Sequence, residues 1–423
     1  MSYARVRPER TRVRLFPQSP GAGEARLETV ELFPRRGMVG TGPEDDRMYV
    51  TEAPDKRPYG EVGSQWRDLF PPYRGKAGIA VAPGPDGHFD HLRPGEAGFR
   101  QVHLYGCARM ALDIWEGYLD ERIPWHFERH FPKLEVLALR GWDNAHIGYG
   151  YLEAGDYQLE DGTLADYALD FDVVAHEIGH AIMMSFAGQV PFSRRTAEYG
   201  AFHEASADWA ALVASLHFEQ AVAGLLETTG GYLEGFNQLT RFGELSPNRQ
   251  IRLANNTRTM WDFRDGWDSE HDLALPLIAA LFDAFVQIYK AILVREGVIP
   301  RGLARLAEQA EAEPPLRPEV SRHFAHWHAR RPEAFHEALA EARDIAALML
   351  VGVWDLADPR DFSFAQLPEL LREVDWRDFE GELYPIVRGC LGKRGIGLVR
   401  PGPRLRPPDE SSRVHSVRTV MPD

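Results

Sequence analysis

The sequence predicts an α+β fold in two lobes, a β-containing N-terminal lobe followed by a mainly helical C-terminal lobe. Three observations carry this reading. Before Asp170 the apolar residues fall into short β-like runs around one long helical stretch, and past Asp170 the periodicity turns helical and stays so. The 423 residues also exceed the usual size of one domain, which favours two lobes or one domain with extensions.

Residues 1–98 are rich in Pro, Gly and charge, with β-like runs at 26–32 and 78–81, and read as an irregular or β-rich extension. Between Phe99 and Leu119, Val102, Leu104, Tyr105, Ala108, Leu112 and Trp115 recur at helical spacing and predict an amphipathic helix. Residues 134–139 and 147–152 read as strands on either side of Gly141-Trp-Asp-Asn144. An acidic, Gly-containing loop from Glu153 to Asp166 follows, closing a β-containing segment over 99–170.

Helices are predicted over 171–187, 199–226, 272–295, 300–313, 332–352 and 377–391, separated by Pro, Gly and Asn clusters. Residues 171–352 form the helical lobe and 353–423 a C-terminal extension, whose Pro-, Arg- and Ser-rich tail from Arg400 predicts extended or disordered chain. There is no internal repeat.

A net charge of −15 argues against a nucleic-acid partner, because phosphate binding needs a basic surface. No apolar run approaches the length of a membrane span. The first ten residues carry positive charge without an apolar segment behind it. The cytoplasm is therefore the default location, with export by a non-Sec route left open. Cys107 and Cys390 stand far apart with no ligand or redox spacing, so neither a disulfide framework nor a thiolate metal site is expected.

The chemistry begins at His176-Glu-Ile-Gly-His180. Residues four apart share a helix face, so both imidazoles can reach one ion, while Glu177 projects about 100° further round, beside the metal's open position. Val174, Ile178 and Ile182 form a separate apolar stripe on the same helix. With this composition, about 0.1 matches of a His-acid-x-x-His pattern arise by chance, so the pattern needs a third ligand to become specific.

The following helix supplies one in Gly200-Ala-Phe-His-Glu204-Ala-Ser-Ala-Asp208. Glu204 and Asp208 are one turn apart on one face, and Phe202, Ala205, Trp209, Leu212 and Leu216 form the stripe that packs inward. Glu204 completes the ligand set, and Asp208 suits the carboxylate that accepts the second N–H of a ligating imidazole, here His176.

Together these pieces resemble the thermolysin-like zinc metallopeptidases of the gluzincin type. The resemblance spans about residues 100–300 and rests on Asn144-Ala145, Asp172-Val-Val-Ala-His-Glu-Ile-Gly-His180, the Gly200 to Asp208 segment and His271, in that order. It implies a two-lobed metallopeptidase fold with Zn2+ in the cleft between the lobes, held by His176, His180 and Glu204. It further implies Glu177 as the general base, His271 as the oxyanion donor, and Asn144 and Ala145 on the edge strand that binds peptide backbone. Tyr199 and Arg258 are candidates for the family's Tyr donor and substrate-binding Arg.

The chain also departs from that family. Asp172 matches one calcium-binding carboxylate, but the helix after Asp208 carries no acidic residue through Phe218, which argues against a double calcium site. Neither the signal nor the long propeptide usual in the family is evident. The expected function is hydrolysis of peptide bonds, as an endopeptidase rather than an exopeptidase. A catalytically silent binding or regulatory domain and a zinc amidohydrolase acting on non-peptide amides stay open. His323, His326 and His328, lacking an acidic neighbour, read as surface or packing residues, and Trp115, Trp125 and Trp142 as core.

Overall fold

The computed structural model describes residues 9–20, 26–60, 70–160, 162–187, 190, 194–235, 237–246 and 249–405. They separate into two compact units, one within Met1–Phe192 together with Gly243–Gln250, the other within Ser193–Phe242 and Ile251–Pro408. The fold is mixed α+β, with the sheets mostly in the N-terminal part and a mainly helical C-terminal part. Most of the tail from Arg400 lies outside the described residues.

In the first unit, β1 (Arg10–Leu15) and β2 (Glu28–Arg35) pair as an antiparallel ribbon whose Val13, Leu15 and Leu32 are fully buried. The ribbon packs on α1 (Phe99–Leu119), which spans the predicted range. At Gly106 the ribbon comes near enough that a Cβ would lie 2.7 Å from the Leu15 side chain.

A four-stranded sheet runs in the order β3 (Met48–Glu52), β4 (Leu134–Ala138), β6 (Tyr151–Ala154), β5 (Ala145–Gly148). β3, β4 and β6 are parallel, and β5 lies antiparallel on the edge. The single strand expected at 147–152 is therefore a hairpin. Its apolar pattern continues through a two-residue turn at Tyr149 and Gly150, where Gly150 has φ 90°. The loop expected at 153–166 holds the end of β6 and a second hairpin, β7 (Asp156–Gln158) with β8 (Leu164–Asp166). Strands of three residues are too short for alternation to reveal them. Of the run at 78–81, Val81 makes only an isolated bridge to Gly42, and β1 and β3 had no counterpart in the sequence reading.

In the second unit the helix expected at 199–226 is two helices, α3 (Ala197–Ser215) and α4 (Glu219–Thr229), bent by 93°. Phe218 is extended at the break and fully buried, so the hydrophobic periodicity runs on through it. A hairpin of β9 (Arg241–Ser246) and β10 (Arg249–Leu253), also not foreseen and with its Gly243–Gln250 portion counted in the first unit, precedes α5 (Glu270–Arg295) in the chain. Five helices complete the unit's helical order: α6 (Arg301–Ala312), α7 (Arg317–His328), which no expectation covered, α8 (Pro332–Leu356), α9 (Leu367–Asp378) and α10 (Tyr384–Lys393).

The helix expected at 377–391 straddles the break between α9 and α10. There Glu380 and Gly381 take positive φ, and the buried Asp375 carboxylate accepts the Leu383 and Tyr384 N–H groups. α5 corrects a further expectation. It is long and apolar enough to cross a membrane, with mean hydropathy 1.9 over its best window, and 72% of that window is buried. Packing against α3, α8 and α10 accounts for that apolarity.

Candidate metal centre

α2 (Phe171–Ala187) matches its predicted range, and the local chemistry explains where it starts. The Asp170 carboxylate accepts the Val173 N–H at 3.2 Å, an N-cap for the first turn. Just upstream, Asp166 caps a 3-10 turn at Ala168 and receives the Arg100 Nε at 2.9 and 2.8 Å. His103 of α1 bonds the Ala168 carbonyl at 2.9 Å. Two side chains of α1 thus fix the entry into the helix that carries the motif.

Val174, Ile178 and Ile182 are fully buried, as their stripe predicts. His176, Glu177 and His180 are also buried, and the two imidazole rings lie 4.5 Å apart, centroid to centroid. α2 packs on α1 and against the edge strand β5. Ala145 opens that strand, opposite Ala154 of β6, and the Asn144 carbonyl accepts the Gly155 N–H at 3.0 Å.

α3 is capped by Thr196, whose hydroxyl accepts the Tyr199 N–H at 3.0 Å. Every residue from Tyr199 to Ala214 is buried, so the helix is enclosed all round and not on one stripe alone. Glu204 and Asp208 are both buried within it. The Nε2 atom of His271, in the first turn of α5, lies 3.1 Å from Glu204 Oε2. Ser269 caps α5 by accepting the Asp272 N–H, so the segment around His271 is a helix start as well as a neighbour of Glu204.

His176, His180 and Glu204 each offer one ligand atom, and these atoms lie within 4.8 Å of one another. Among the described residues this is the one such group of His, Cys, Asp or Glu. Two imidazoles and a carboxylate, all buried, are the donor set that suits a catalytic zinc ion with an open fourth position. Asp172 sits in the first turn of α2.

The remaining candidates are placed as follows. Tyr199 is buried against Phe202, His203 and Phe362, and burial raises its phenol above the ordinary value. The Arg258 guanidinium lies over the Phe263 ring at 5.0 Å. Among the three histidines of α7, His323 and His326 are exposed and His328 is half-buried. Trp115 and Trp125 are buried, while Trp142 is partly buried beside Tyr59 and Leu137. Cys107 and Cys390 are buried free thiols.

No known family pattern matches the chain, and no curated protein matches its sequence. Among solved structures, it is similar to the precursor of protealysin, a metalloproteinase from Serratia proteamaculans. The identity is 13% and the TM-score 0.50, with 85% of this chain and 89% of that chain covered. The fold is protealysin-like. At this identity the likeness is one of fold, and the chemistry rests on this chain's own residues.

Sequence reading missed two groups beside His271 and Glu204. Glu270 is half-buried next to His271, and its Oε2 accepts from Arg195 Nη2 at 2.7 Å. Burial raises the Glu270 carboxyl, with Arg195 opposing the shift. Arg195 and Glu270 are 75 residues apart in sequence, and of the Asp-Ser-Glu-His-Asp segment only His271 was singled out. The only local signal was an acidic residue directly before the candidate histidine.

Proposed function

We propose that the protein is a zinc-dependent peptidase of gluzincin type. The observation that carries this reading is the buried donor set of His176, His180 and Glu204 with Glu177 next to the first ligand. The protealysin-like fold supports it, since the neighbour is itself a metalloproteinase.

His176, His180 and Glu204 would hold the ion, which when bound supplies Lewis acidity to a substrate carbonyl and to a water. Glu177 takes the water's proton and passes it to the leaving amine, a general base and then a general acid. His271 donates to the oxygen on which negative charge develops. Asp208, one turn beyond Glu204, steadies a ligand from behind. The edge of β5, with Asn144 and Ala145, receives an extended peptide backbone by strand addition.

The test is a peptide library at neutral pH, with and without chelator, on the wild type and on Glu177→Gln. Glu177→Gln should retain zinc and lose cleavage by about 10³-fold. Full activity in that variant removes Glu177 as the base. Zinc binding without cleavage of any peptide points to a silent binding domain or to non-peptide amides.

A further inference from the structure

The environment of His271 contains a device that the proposed chemistry does not use. Glu270 lies directly on the backbone of α3 at Gly200, where a Cβ would meet its carboxylate at 2.3, 2.4 and 2.7 Å. Gly200 is one turn before Glu204 on the same helix, so the notch opens on the face that carries the ligand. Arg195, just ahead of α3, closes over the carboxylate with its Nη2 at 2.7 Å. The side chains of Arg195 and Glu270 are largely withdrawn from solvent, at 16% and 13% exposure, whereas His271 keeps 32%. Glu270 and His271 are consecutive in the first turn of α5, so seating one fixes the other.

The geometry points to Arg195 and Glu270 as a positioning pair. Their ion pair, locked into the notch at Gly200, sets the first turn of α5 against α3 and holds His271 Nε2 on Glu204 Oε2. Neither residue touches the reacting atoms. The pair acts through His271, by limiting the rotation and slide of the α5 terminus relative to the carboxylate ligand. A misplacement on the order of 1 Å costs about 10²-fold in rate when it affects a group that must meet a transition state. The ion pair is largely withdrawn from water and the Glu270 carboxylate accepts from a rigidly forked guanidinium, so it resists such slack better than an exposed pair would.

This inference rests on the role given above to Glu204 and His271, so its test includes a readout independent of cleavage. Gly200→Ala is the decisive variant. Helix propensity favours alanine there, and the atoms in the way are the far end of a flexible side chain, so the helix should still form while Glu270 is displaced. A crystal structure of the metal-free variant should show the His271–Glu204 separation opened beyond hydrogen-bonding distance. An unchanged separation overturns the inference, whether or not the protein cleaves peptides.

In the zinc-loaded enzyme, Gly200→Ala and Glu270→Gln should each lower kcat about tenfold or more and leave KM within about twofold, whatever loss of melting temperature accompanies the broken ion pair. The double variant should lose no more than the worse single one, because both remove the same constraint. Multiplying losses, or a melting temperature that falls while kcat holds, mean that the pair only braces the fold. If the wild type cleaves nothing, the proposed function fails and the crystal structure still decides the positioning role.

Discussion

His146 Nε2 lies 2.6 Å from Glu153 Oε2 across the β5–β6 hairpin, directly opposite in the ladder, and neither side chain is open to solvent. The same carboxylate accepts the Tyr59 N–H at 2.7 Å, and its other oxygen is bonded by the Lys56 ammonium. One buried anion therefore ties the segment around Lys56 and Tyr59 to the strand that carries Ala145.

Removing the cation should be costly. Lys56→Met leaves Glu153 charged and enclosed, and breaking one partner of a buried pair costs about 3–5 kcal/mol. Lys56→Met with Glu153→Gln should recover much of the loss, since no buried charge is then left uncompensated. Denaturant unfolding of both variants checks this, and a single variant as stable as the wild type would show that the pair contributes little.

Acid should destabilise the protein through three imidazoles, His103 fully buried and His126 and His217 partly so. Burial holds His103, His126 and His217 down at about 4. His103 accepts the Phe16 N–H at Nε2 and bonds the Ala168 carbonyl at Nδ1, so the ring can be satisfied only when neutral. In the unfolded chain each takes its proton near pH 6.5. Between that pH and about 4 the unfolded chain binds more protons, so stability present above 6.5 is lost as pH falls through this window. His103 alone contributes on the order of 3 kcal/mol to that loss. Unfolding free energies at pH 7, 6 and 5 should fall progressively, and a flat series would contradict neutral burial of these rings.

What was legible in the sequence was local. α1 and α2 were bounded correctly because each carries an uninterrupted helical apolar pattern, and α2 also has a polar residue, Asp170, at its start. The two imidazoles that meet at the candidate metal centre could be named because their spacing, four within one helix, is a property of helices, and Glu204 because the next helix carries a carboxylate. Where apolar residues continued through a change of direction, at Tyr149-Gly150, at Phe218 and between α9 and α10, periodicity joined what the chain keeps apart. Glu270 on Gly200, and Arg195 on Glu270, are contacts between segments distant in sequence, and no periodicity encodes them.

His271→Ala tests the donor role separately from metal binding. The imidazole touches Glu204 yet is the most open of the named polar groups there, at 32% against 8%. Loss of one donor to a developing oxyanion costs about 10²–10³ in kcat. The variant should keep its zinc through gel filtration, hold KM within a few-fold of the wild type and lose kcat on that scale. An enzyme whose kcat is unchanged would assign His271 to the structure around Glu204 and leave the oxyanion donor to another group.

Gly155→Ala probes the frame that presents the edge strand. The residue lies between β6 and β7, and its N–H is bonded by the Asn144 carbonyl at 3.0 Å. A Cβ there would stand 2.1 Å from the Trp142 carbonyl oxygen, a backbone atom that cannot swing aside as the Glu270 side chain can at Gly200. Alanine therefore has to push the 142–145 segment away from β6, disturbing the Asn144 bond and the Ala145–Ala154 register together. Overpacking of this kind costs about 1–3 kcal/mol, and more where backbone must move. Chemical denaturation should show a loss at or above the upper end of that range. With peptide substrates the surviving folded protein should show a raised KM, because the displaced element is the strand proposed to hold the peptide and not the group that moves its proton. An unchanged KM in a destabilised protein would separate the edge strand from substrate binding.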